Sequence, residues 1–245
     1  MTPEKFAALA AEGHNRIPVM REVLADLDTP LSVYLKLADG PHSYLFESVQ
    51  GGEKWGRYSI IGLPCHTLLK VHGHQVTIEQ HGEVAEQLEV DDPLEYIEQF
   101  QARYRVVEYE ELPRFTGGLV GYFGYDTIRY IEPKLANCPN PDTIGNPDIM
   151  LMVSDEVVVF DNLRGSMFVI VHADPTQGGT LESAQARIEQ LIQKMQGRAP
   201  RPVTGAARQI EESDFISGFS EENFKRAVDR IKEYVLEGDC MQTVI

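Results

Sequence analysis

The sequence has few of the residues that build disulfide frameworks or nucleic-acid-binding surfaces. Its three cysteines, Cys65, Cys138 and Cys240, are scattered and form no C-x-x-C pair, which argues against a disulfide framework and against a thiolate metal site. Basic residues are also scarce, because 22 Lys and Arg stand against 38 Asp and Glu and give a net charge of −16. A field of that sign repels phosphate backbones and anionic lipid, so we expect neither nucleic acid nor a membrane as a partner.

Long apolar runs and targeting signals are absent as well. No stretch approaches the roughly 18 consecutive apolar residues that would cross a bilayer. The N-terminus, Met1 to Lys5, lacks the basic and apolar segments of a secretion signal. Together with the unpaired cysteines, these absences predict a cytoplasmic protein. Hydrophobic residues make up 42% and charged residues 24% of the 245, which is typical of a globular chain of one to two domains.

The common catalytic motifs are missing too. There is no G-x-S-x-G, H-E-x-x-H or Walker loop, so hydrolase, metalloprotease and P-loop functions have no support. The glycine-rich stretch Gly117 to Asp126 leads into a proline-rich loop instead of a helix, unlike a dinucleotide fingerprint. Its glycines instead favour close packing in a sheet. Four histidines, His66, His72, His74 and His81, share one predicted hairpin without a carboxylate or cysteine at ligand spacing, so we interpret them as solvated.

Hydrophobic periodicity predicts a chain of mixed helices and antiparallel strands. Helices are predicted after Thr2 and Asp92, from 180 to 196, and after the N-cap Ser220, whose apolar face we expect to point inward. The alternating run Leu31 to Leu37 predicts a strand that opens an antiparallel meander. Residues 115 to 147 are expected to be mainly a long ordered loop, whereas 148 to 160 and 166 to 171 read as central strands. A further strand is expected to start at Cys240.

One group of residues suggests ligand binding. Glu47 and Ser48 end a predicted strand, a glycine turn follows, and Arg57 lies on the returning strand. A carboxylate that can pair with an ammonium, beside a guanidinium that can pair with a carboxylate, suits a zwitterionic amino acid. Alternatively, Glu47 and Arg57 form a cross-strand ion pair with no ligand.

At these residues the sequence resembles the N-terminal half of the anthranilate synthase component I family. The matching stretches cover almost the whole chain: Leu45 to Ser48, Gly51 to Gly62, Gly117 to Asp126, Cys138 to Pro141 and Gly238 to Gln242. In that family the glutamate–serine element belongs to the allosteric site for tryptophan. The resemblance therefore implicates Phe46, Glu47, Ser48 and Arg57 in binding L-tryptophan, with Phe46 at a position usually occupied by leucine.

The resemblance also implies an activity and a fold. The family converts chorismate and ammonia to anthranilate and pyruvate in the first step of tryptophan biosynthesis. A glutamine amidotransferase subunit supplies the ammonia, and a magnesium ion is bound in the catalytic half. The implied fold is α+β, a four-layer α/β/β/α arrangement to which this chain supplies mainly one antiparallel sheet and its helices.

The same resemblance divides the chain into three parts. Residues 1–200 correspond to the regulatory region, 201–219 to a linker and 220–245 to a truncated start of the chorismate-binding catalytic domain. The segment from Gln242 departs from the family pattern at Thr243 and then stops. We therefore expect no catalytic residue and no magnesium ligand in this chain, and no activity from it alone.

Two alternatives remain open. One is component I of aminodeoxychorismate synthase, which shares the fold and often holds a structural tryptophan. The other is a stand-alone tryptophan-binding module that regulates something else. The Phe46-Glu47-Ser48 and Gly-Gly-Glu pattern favours the anthranilate enzyme.

Overall fold

A computed structural model describes residues 1–38, 40–47, 56–107, 109, 113–198 and 208–245 of the chain. It divides into two compact units, Met1–Pro200 and Arg201–Ile245. The division of function among 1–200, 201–219 and 220–245 stays a prediction.

The first unit holds all ten strands of the described residues. In chain order they are β1 Ile17–Leu24, β2 Tyr44–Phe46, β3 Tyr58–Gly62, β4 Thr67–His72, β5 Gln75–Gln80, β6 Glu83–Glu89, β7 Gly118–Phe123, β8 Ile149–Ser154, β9 Glu156–Asp161 and β10 Ser166–Ala173. They form two five-stranded sheets, with the orders β1-β10-β9-β3-β2 and β6-β5-β4-β8-β7. Every pairing within the two sheets is antiparallel.

Six α-helices are described. In chain order they are α1 Pro3–Ala11, α2 Pro30–Leu37, α3 Pro93–Ala102, α4 Ile128–Ile131, α5 Leu181–Met195 and α6 Glu221–Glu237. Five of the six have an N-cap side chain that accepts a backbone N–H of the first turn, namely Thr2, Thr29, Asp92, Thr180 and Ser220. The α+β class and the antiparallel pairing are confirmed, although the described residues form two sheets where mainly one was expected.

Each sheet has a face covered by helices. Helices α2 and α5 pack on the first sheet, where Ile188 of α5 and Val33 of α2 are at most 1% exposed and join Val169 of β10 in one core. Helix α3 packs on the second sheet, where Ile97 and Phe100 contact the aliphatic side chains of β4, β5 and β8. Burial of these apolar faces is the main source of stability for such layers.

Helix α2 corrects the prediction of a strand at Leu31 to Leu37. The alternation there is real, but Thr29 and Ser32 form a capping box and Pro30 occupies the first helical turn. The hydroxyls of Thr29 and Ser32 each accept the other residue's backbone N–H, and Pro30 fixes a helical φ. Local start signals therefore outweigh a short period-2 pattern.

The segment from 115 to 160 differs from prediction in two respects. The glycine-rich stretch contains β7 and is not part of a loop, and the close sheet packing expected of its glycines is confirmed at Gly121, which allows β7 to lie close to β8. A Cβ at Gly121 would come within 1.9 Å of the Met150 carbonyl oxygen. The apolar run from 148 to 160 is two strands rather than one, because Asp155 separates β8 in the second sheet from β9 in the first.

The second unit contains α6 in its described residues, 208–245. The predicted cap Ser220 and the left-handed Gly238 bound this helix. The expectation that its apolar face is buried is wrong, since no side chain of α6 is buried. A periodic pattern identifies an apolar face but not what covers it. The strand expected from Cys240 is also wrong, because residues 240–245 form no strand.

No helix in the described ranges is both long and apolar enough to cross a membrane.

Candidate functional site

Strand β9 has an aspartate at each end, and each aspartate pairs with an arginine. Asp155 precedes the strand and binds Arg16, whereas Asp161 ends it and binds Arg57. The two aspartates are about 20 Å apart along the strand, because each of six residue steps rises about 3.3 Å. The Asp161 end lies beside the predicted tryptophan-binding residues, and a cavity lies at the Asp155 end.

At the Asp161 end, Arg57 binds the carboxylate with two nitrogens. Its Nε donates to Oδ1 at 3.0 Å, and its second hydrogen bond runs from Nη2 to Oδ2 at 2.6 Å. The Asp161 side chain is only 1% exposed, against 29% for Arg57. Such a bidentate pair is geometrically specific and stronger than a neutral hydrogen bond.

Further hydrogen bonds stabilise the ionised form of Asp161. The backbone N–H groups of Leu163 and Arg164 both donate to Oδ1 at 3.2 Å. Hydrogen bonding by Arg57, opposed by burial, holds the pKa of Asp161 below its usual value. The carboxylate is therefore charged at neutral pH and neutralises the guanidinium, whose Nη1 has no hydrogen-bond partner among the described residues.

The predicted binding residues lie near this pair. Phe46 ends β2, is 53% exposed, and its ring centroid is 4.8 Å from that of Tyr44. Glu47 directly follows β2 and is exposed. Arg57 directly precedes β3, the strand that pairs with β2. Ser48 and the glycine loop lie outside the described residues.

The ion pair of Arg57 is with Asp161 and not with Glu47. Sequence analysis missed Asp161 because it lies 104 residues from Arg57. Its only signal was an acid at the end of a buried β-branched run. The assignment of Phe46, Glu47, Ser48 and Arg57 to tryptophan stays a prediction.

At the Asp155 end, Arg16 is enclosed by acceptors. Its Nε donates to Asp155 Oδ1 at 3.1 Å, and its Nη1 donates to the Asn15 carbonyl at 2.8 Å and to Asp174. The guanidinium carbon lies 4.5 Å from the Tyr104 ring centroid. Unlike Asp161, the Asp155 side chain is 42% exposed. Loss of water around it raises the pKa of Asp155, although Arg16 acts in the opposite direction.

His172 of β10 lies next to Asp155. Its Nδ1 is 3.2 Å from the Asp155 carbonyl oxygen, which also accepts the His172 backbone N–H at 2.9 Å. Burial lowers the pKa of His172 to about 4. The ring is therefore neutral at physiological pH, and Nδ1 carries the proton because a carbonyl oxygen can only accept.

A hydroxyl pair connects the two sheets beside Asp155. Tyr44 of β2 and Ser154 of β8 are both buried, and their hydroxyls are 2.8 Å apart. Burial raises the pKa of Tyr44 to about 12. The Tyr44 ring packs over Gly62, where a Cβ would lie 1.9 Å from Cε1.

The cavity at this end has a volume of about 520 Å³. Its wall comes from the residue before β1, the end of α3, the segment that leads into β7, the β8–β9 junction and β10. Polar groups on the wall include Arg16, Arg114, Asp155 and His172. Sequence analysis did not single out this group, whose members come from four separate segments.

The histidine hairpin shows no metal site. His66 and His81 stack at 5.0 Å, and His74 packs edge-on against Tyr130. Across the described ranges, no group of three or more His, Cys, Asp or Glu side chains could hold a metal ion. The residues described therefore do not fit a magnesium site, and no chemical step is derived through one.

Comparison with known proteins identifies the family. The family model for chorismate binding enzyme matches residues 43–245. The chain belongs to the chorismate-binding enzyme family. It is 56% identical over 250 residues to anthranilate synthase component 1 of Pseudomonas aeruginosa and 47% identical over 247 residues to that of Neisseria gonorrhoeae. In both comparisons all of this chain aligns with 50% of the relative.

The chain thus spans about half the length of these curated relatives. The resemblance to anthranilate synthase component I is confirmed. A solved structure, anthranilate synthase component I from Streptococcus pneumoniae TIGR4, is similar with a TM-score of 0.52 and 22% identity. That similarity covers 89% of this chain and 46% of the other, and it supports the α+β fold alone.

Proposed function

We propose that this chain is the regulatory part of an anthranilate synthase component I. In the complete enzyme, chorismate and ammonia become anthranilate and pyruvate in the first step of tryptophan biosynthesis in the cytoplasm. The observation that carries this proposal is the 56% identity to a component 1 over the full length of the chain. The name of the relatives makes them one component of a larger enzyme, and we propose a glutamine amidotransferase as the second component.

The proposed regulatory ligand is L-tryptophan, bound by Phe46, Glu47, Ser48 and Arg57. Exposed Glu47 can pair with the ammonium group, and Nη1 of Arg57, which has no partner among the described residues, can donate to the carboxylate. Asp161 holds the Arg57 guanidinium in one orientation, which lowers the entropic cost of binding. Half-exposed Phe46 offers an apolar surface for the indole ring.

We further propose that the 245-residue chain makes no anthranilate by itself. Support comes from its coverage of about half of each relative. In this proposal magnesium and chorismate bind to the other half of the complete enzyme.

The test joins this chain to the part of the Pseudomonas aeruginosa relative that it does not match. Anthranilate fluorescence is followed with chorismate, magnesium and ammonium, with and without L-tryptophan. We expect activity from the joined protein but not from the chain alone, and inhibition by tryptophan. Replacing Glu47 by Gln should raise the half-inhibiting tryptophan concentration about tenfold or more, because a charge-assisted bond is lost.

The matched control is Glu83→Gln, an exposed glutamate on β6. Inhibition that is unchanged in Glu47→Gln would contradict the tryptophan assignment. Micromolar tryptophan binding by the 245-residue chain, with no active joined protein, would instead favour a stand-alone tryptophan-binding module.

A further inference from the structure

The cavity at the Asp155 end of β9 has the size of a small-molecule site. Its volume of about 520 Å³ lies within the range of about 300–1,000 Å³ that is usual for ligand pockets. It lies within the first unit, at the junction where β8 of one sheet continues into β9 of the other. It is separate from Phe46, Glu47 and Arg57, none of which lines it.

One side of the cavity is a fixed ionic group. The hydrogen bonds of Arg16 to Asp155, Asp174 and the Asn15 carbonyl occupy its Nε and Nη1. Arg16 therefore holds Asp155 Oδ1 in place. The other oxygen, Oδ2, accepts no hydrogen bond from the described residues, and the Asp155 side chain remains 42% exposed.

His172 adds an acceptor beside Asp155. Because Nδ1 donates to the Asp155 carbonyl, the neutral ring presents Nε2 as an unprotonated acceptor. No donor for Nε2 is found within the described ranges. Two acceptors, His172 Nε2 and Asp155 Oδ2, thus belong to residues on the same part of the wall.

Arg114 supplies the opposite charge. It lines the cavity and is exposed. Unlike Arg16, it forms no ion pair with any acid in the part of the chain that the structure describes. An exposed guanidinium that lines a cavity can bind the carboxylate of a ligand in a bidentate manner.

Aliphatic side chains and a closely packed glycine also line the cavity. Val106, Leu119 and Val153 present aliphatic side chains. Gly117 has a φ of +148°, and a Cβ there would lie 2.5 Å from the Ser154 carbonyl oxygen and 2.9 Å from His172 Cε1. Glycine therefore lets this backbone lie against the β8–β9 junction.

We propose that this cavity binds a small amino-carboxylate with an apolar body. Its carboxylate pairs with Arg114, its N–H groups donate to His172 Nε2 and Asp155 Oδ2, and its apolar body contacts Val106, Leu119 and Val153. Two kinds of molecule have this chemistry, an apolar α-amino acid and an aminobenzoate. The site goes beyond the proposed function and does not depend on it.

Binding to the 245-residue chain is measured by titration calorimetry and by the ¹⁵N chemical shift of His172 Nε2. The probes are L-phenylalanine with 2-phenylethylamine and 3-phenylpropionate, and 2-aminobenzoate with aniline and benzoate. Within each set, one analogue lacks the carboxylate and the other lacks the amino group. We expect one parent compound to bind and shift the Nε2 signal, and both of its analogues to bind about tenfold or more weakly.

Arg114→Gln is the decisive variant, because its exposed side chain can change without disturbing the core. It should weaken binding about tenfold or more. Arg198→Gln, an exposed arginine after α5, is the matched control and should bind like the original chain. Glu47→Gln should also leave this binding unchanged, which separates the cavity from the proposed tryptophan site.

Several results would overturn the proposal. They are the absence of binding by both parent compounds, equal binding by an analogue that lacks one group, and full affinity in Arg114→Gln. Binding that is lost in Glu47→Gln but kept in Arg114→Gln would place the ligand at the end of β2 and reject the cavity. The set of probes that binds identifies the source, an amino acid or an aminobenzoate.

Discussion

The two ends of β9 carry the same pair of residue types in opposite states. At one end Asp161 is 1% exposed, and two nitrogens of Arg57 occupy both of its carboxylate oxygens. At the other end Asp155 is 42% exposed, receives a single hydrogen bond from Arg16, and borders a cavity. An arginine–aspartate pair therefore stabilises the fold when all of its carboxylate oxygens are buried and hydrogen-bonded. It can form part of a binding site when one carboxylate oxygen is exposed.

The pKa directions follow the same difference. Hydrogen bonding by Arg57 lowers the pKa of Asp161, whereas burial raises the pKa of Asp155. A fully hydrogen-bonded carboxylate is stabilised in its charged form, and a partly desolvated one is not. We expect the closed end to dominate stability and the open end to respond to pH and to ligands.

The largest expected effect comes from breaking the closed pair. Asp161→Asn keeps the shape and an acceptor for the Leu163 and Arg164 amides but removes the charge opposite Arg57. We expect a loss of about 3 kcal/mol in the free energy of unfolding, because Arg57 loses its charged partner. Urea unfolding at neutral pH measures it.

Asp155→Asn is the matched change at the open end. It should cost about 1 kcal/mol, since the Asp155 side chain is more exposed than that of Asp161 and Asp174 still binds Arg16. Equal losses in the two variants would contradict the distinction between the ends.

The second-largest expected effect is a pH dependence of the free energy of unfolding, caused by His172 at the open end. The pKa of His172 is lowered to about 4 in the folded chain, so the unfolded chain binds this proton first as pH falls. The associated stability is therefore present above about pH 6.5 and is lost as pH falls toward about 4. Between about pH 7.5 and pH 5, we expect a loss of about 2 kcal/mol from this group.

The measurement is urea unfolding across this pH range for the original chain and for His172→Gln. The loss of about 2 kcal/mol that we attribute to His172 should be absent from the variant. Comparison of the two cancels the contribution of Asp155, whose raised pKa has the opposite sign. Exposed His81 serves as the control through His81→Gln. Asp161, with its lowered pKa, should affect stability only below about pH 4. If the free energy of unfolding of His172→Gln depended on pH as in the original chain, His172 would not be the source of the pH dependence.

A loss of similar size is expected when the hydroxyl pair beside Asp155 is disturbed. In Gly62→Ala, the new methyl group would overlap the Tyr44 ring and force it away from Ser154. Overpacking of this kind should cost about 2 kcal/mol. Gly218→Ala is the control, because no atom lies within 4 Å of its Cβ position. Thermal unfolding compares them, and equal melting temperatures would show that the Tyr44 packing is not constrained.

The smallest effect is expected from Arg114, the exposed arginine that lines the cavity at the open end. Arg114→Gln should change the free energy of unfolding by less than about 0.5 kcal/mol, as for other exposed substitutions. Urea unfolding beside Arg198→Gln measures it. A loss as large as that of Asp161→Asn would make Arg114 a structural residue, not a ligand-binding one.

Sequence reasoning located most helices and the local part of the candidate site. The starts of the helices with strong caps, such as α5 after Thr180 and α6 after Ser220, could be predicted because a cap involves only three or four neighbouring residues. Glu47 and Arg57 were found because a short loop connects them. The wrong prediction of a strand in place of α2 has the same local origin, since the capping box at Thr29 competes with an alternating apolar pattern.

The remaining features depend on contacts between distant parts of the chain. The division of one apolar run at Asp155 is visible only when β8 and β9 pair in different sheets. The bonds from Arg57 to Asp161 and from Arg16 to Asp155 span 104 and 139 residues. A single sequence gives the residue types but not which of them meet.

The most direct test of the different roles of the two ends is tryptophan inhibition of the joined enzyme, measured side by side in Glu47→Gln and Arg114→Gln. Glu47 lies beside the Asp161 end, and Arg114 lines the cavity at the Asp155 end. We predict that Glu47→Gln raises the half-inhibiting tryptophan concentration about tenfold or more, whereas Arg114→Gln leaves it unchanged. The reverse pattern would contradict the account, because tryptophan would then act through the cavity.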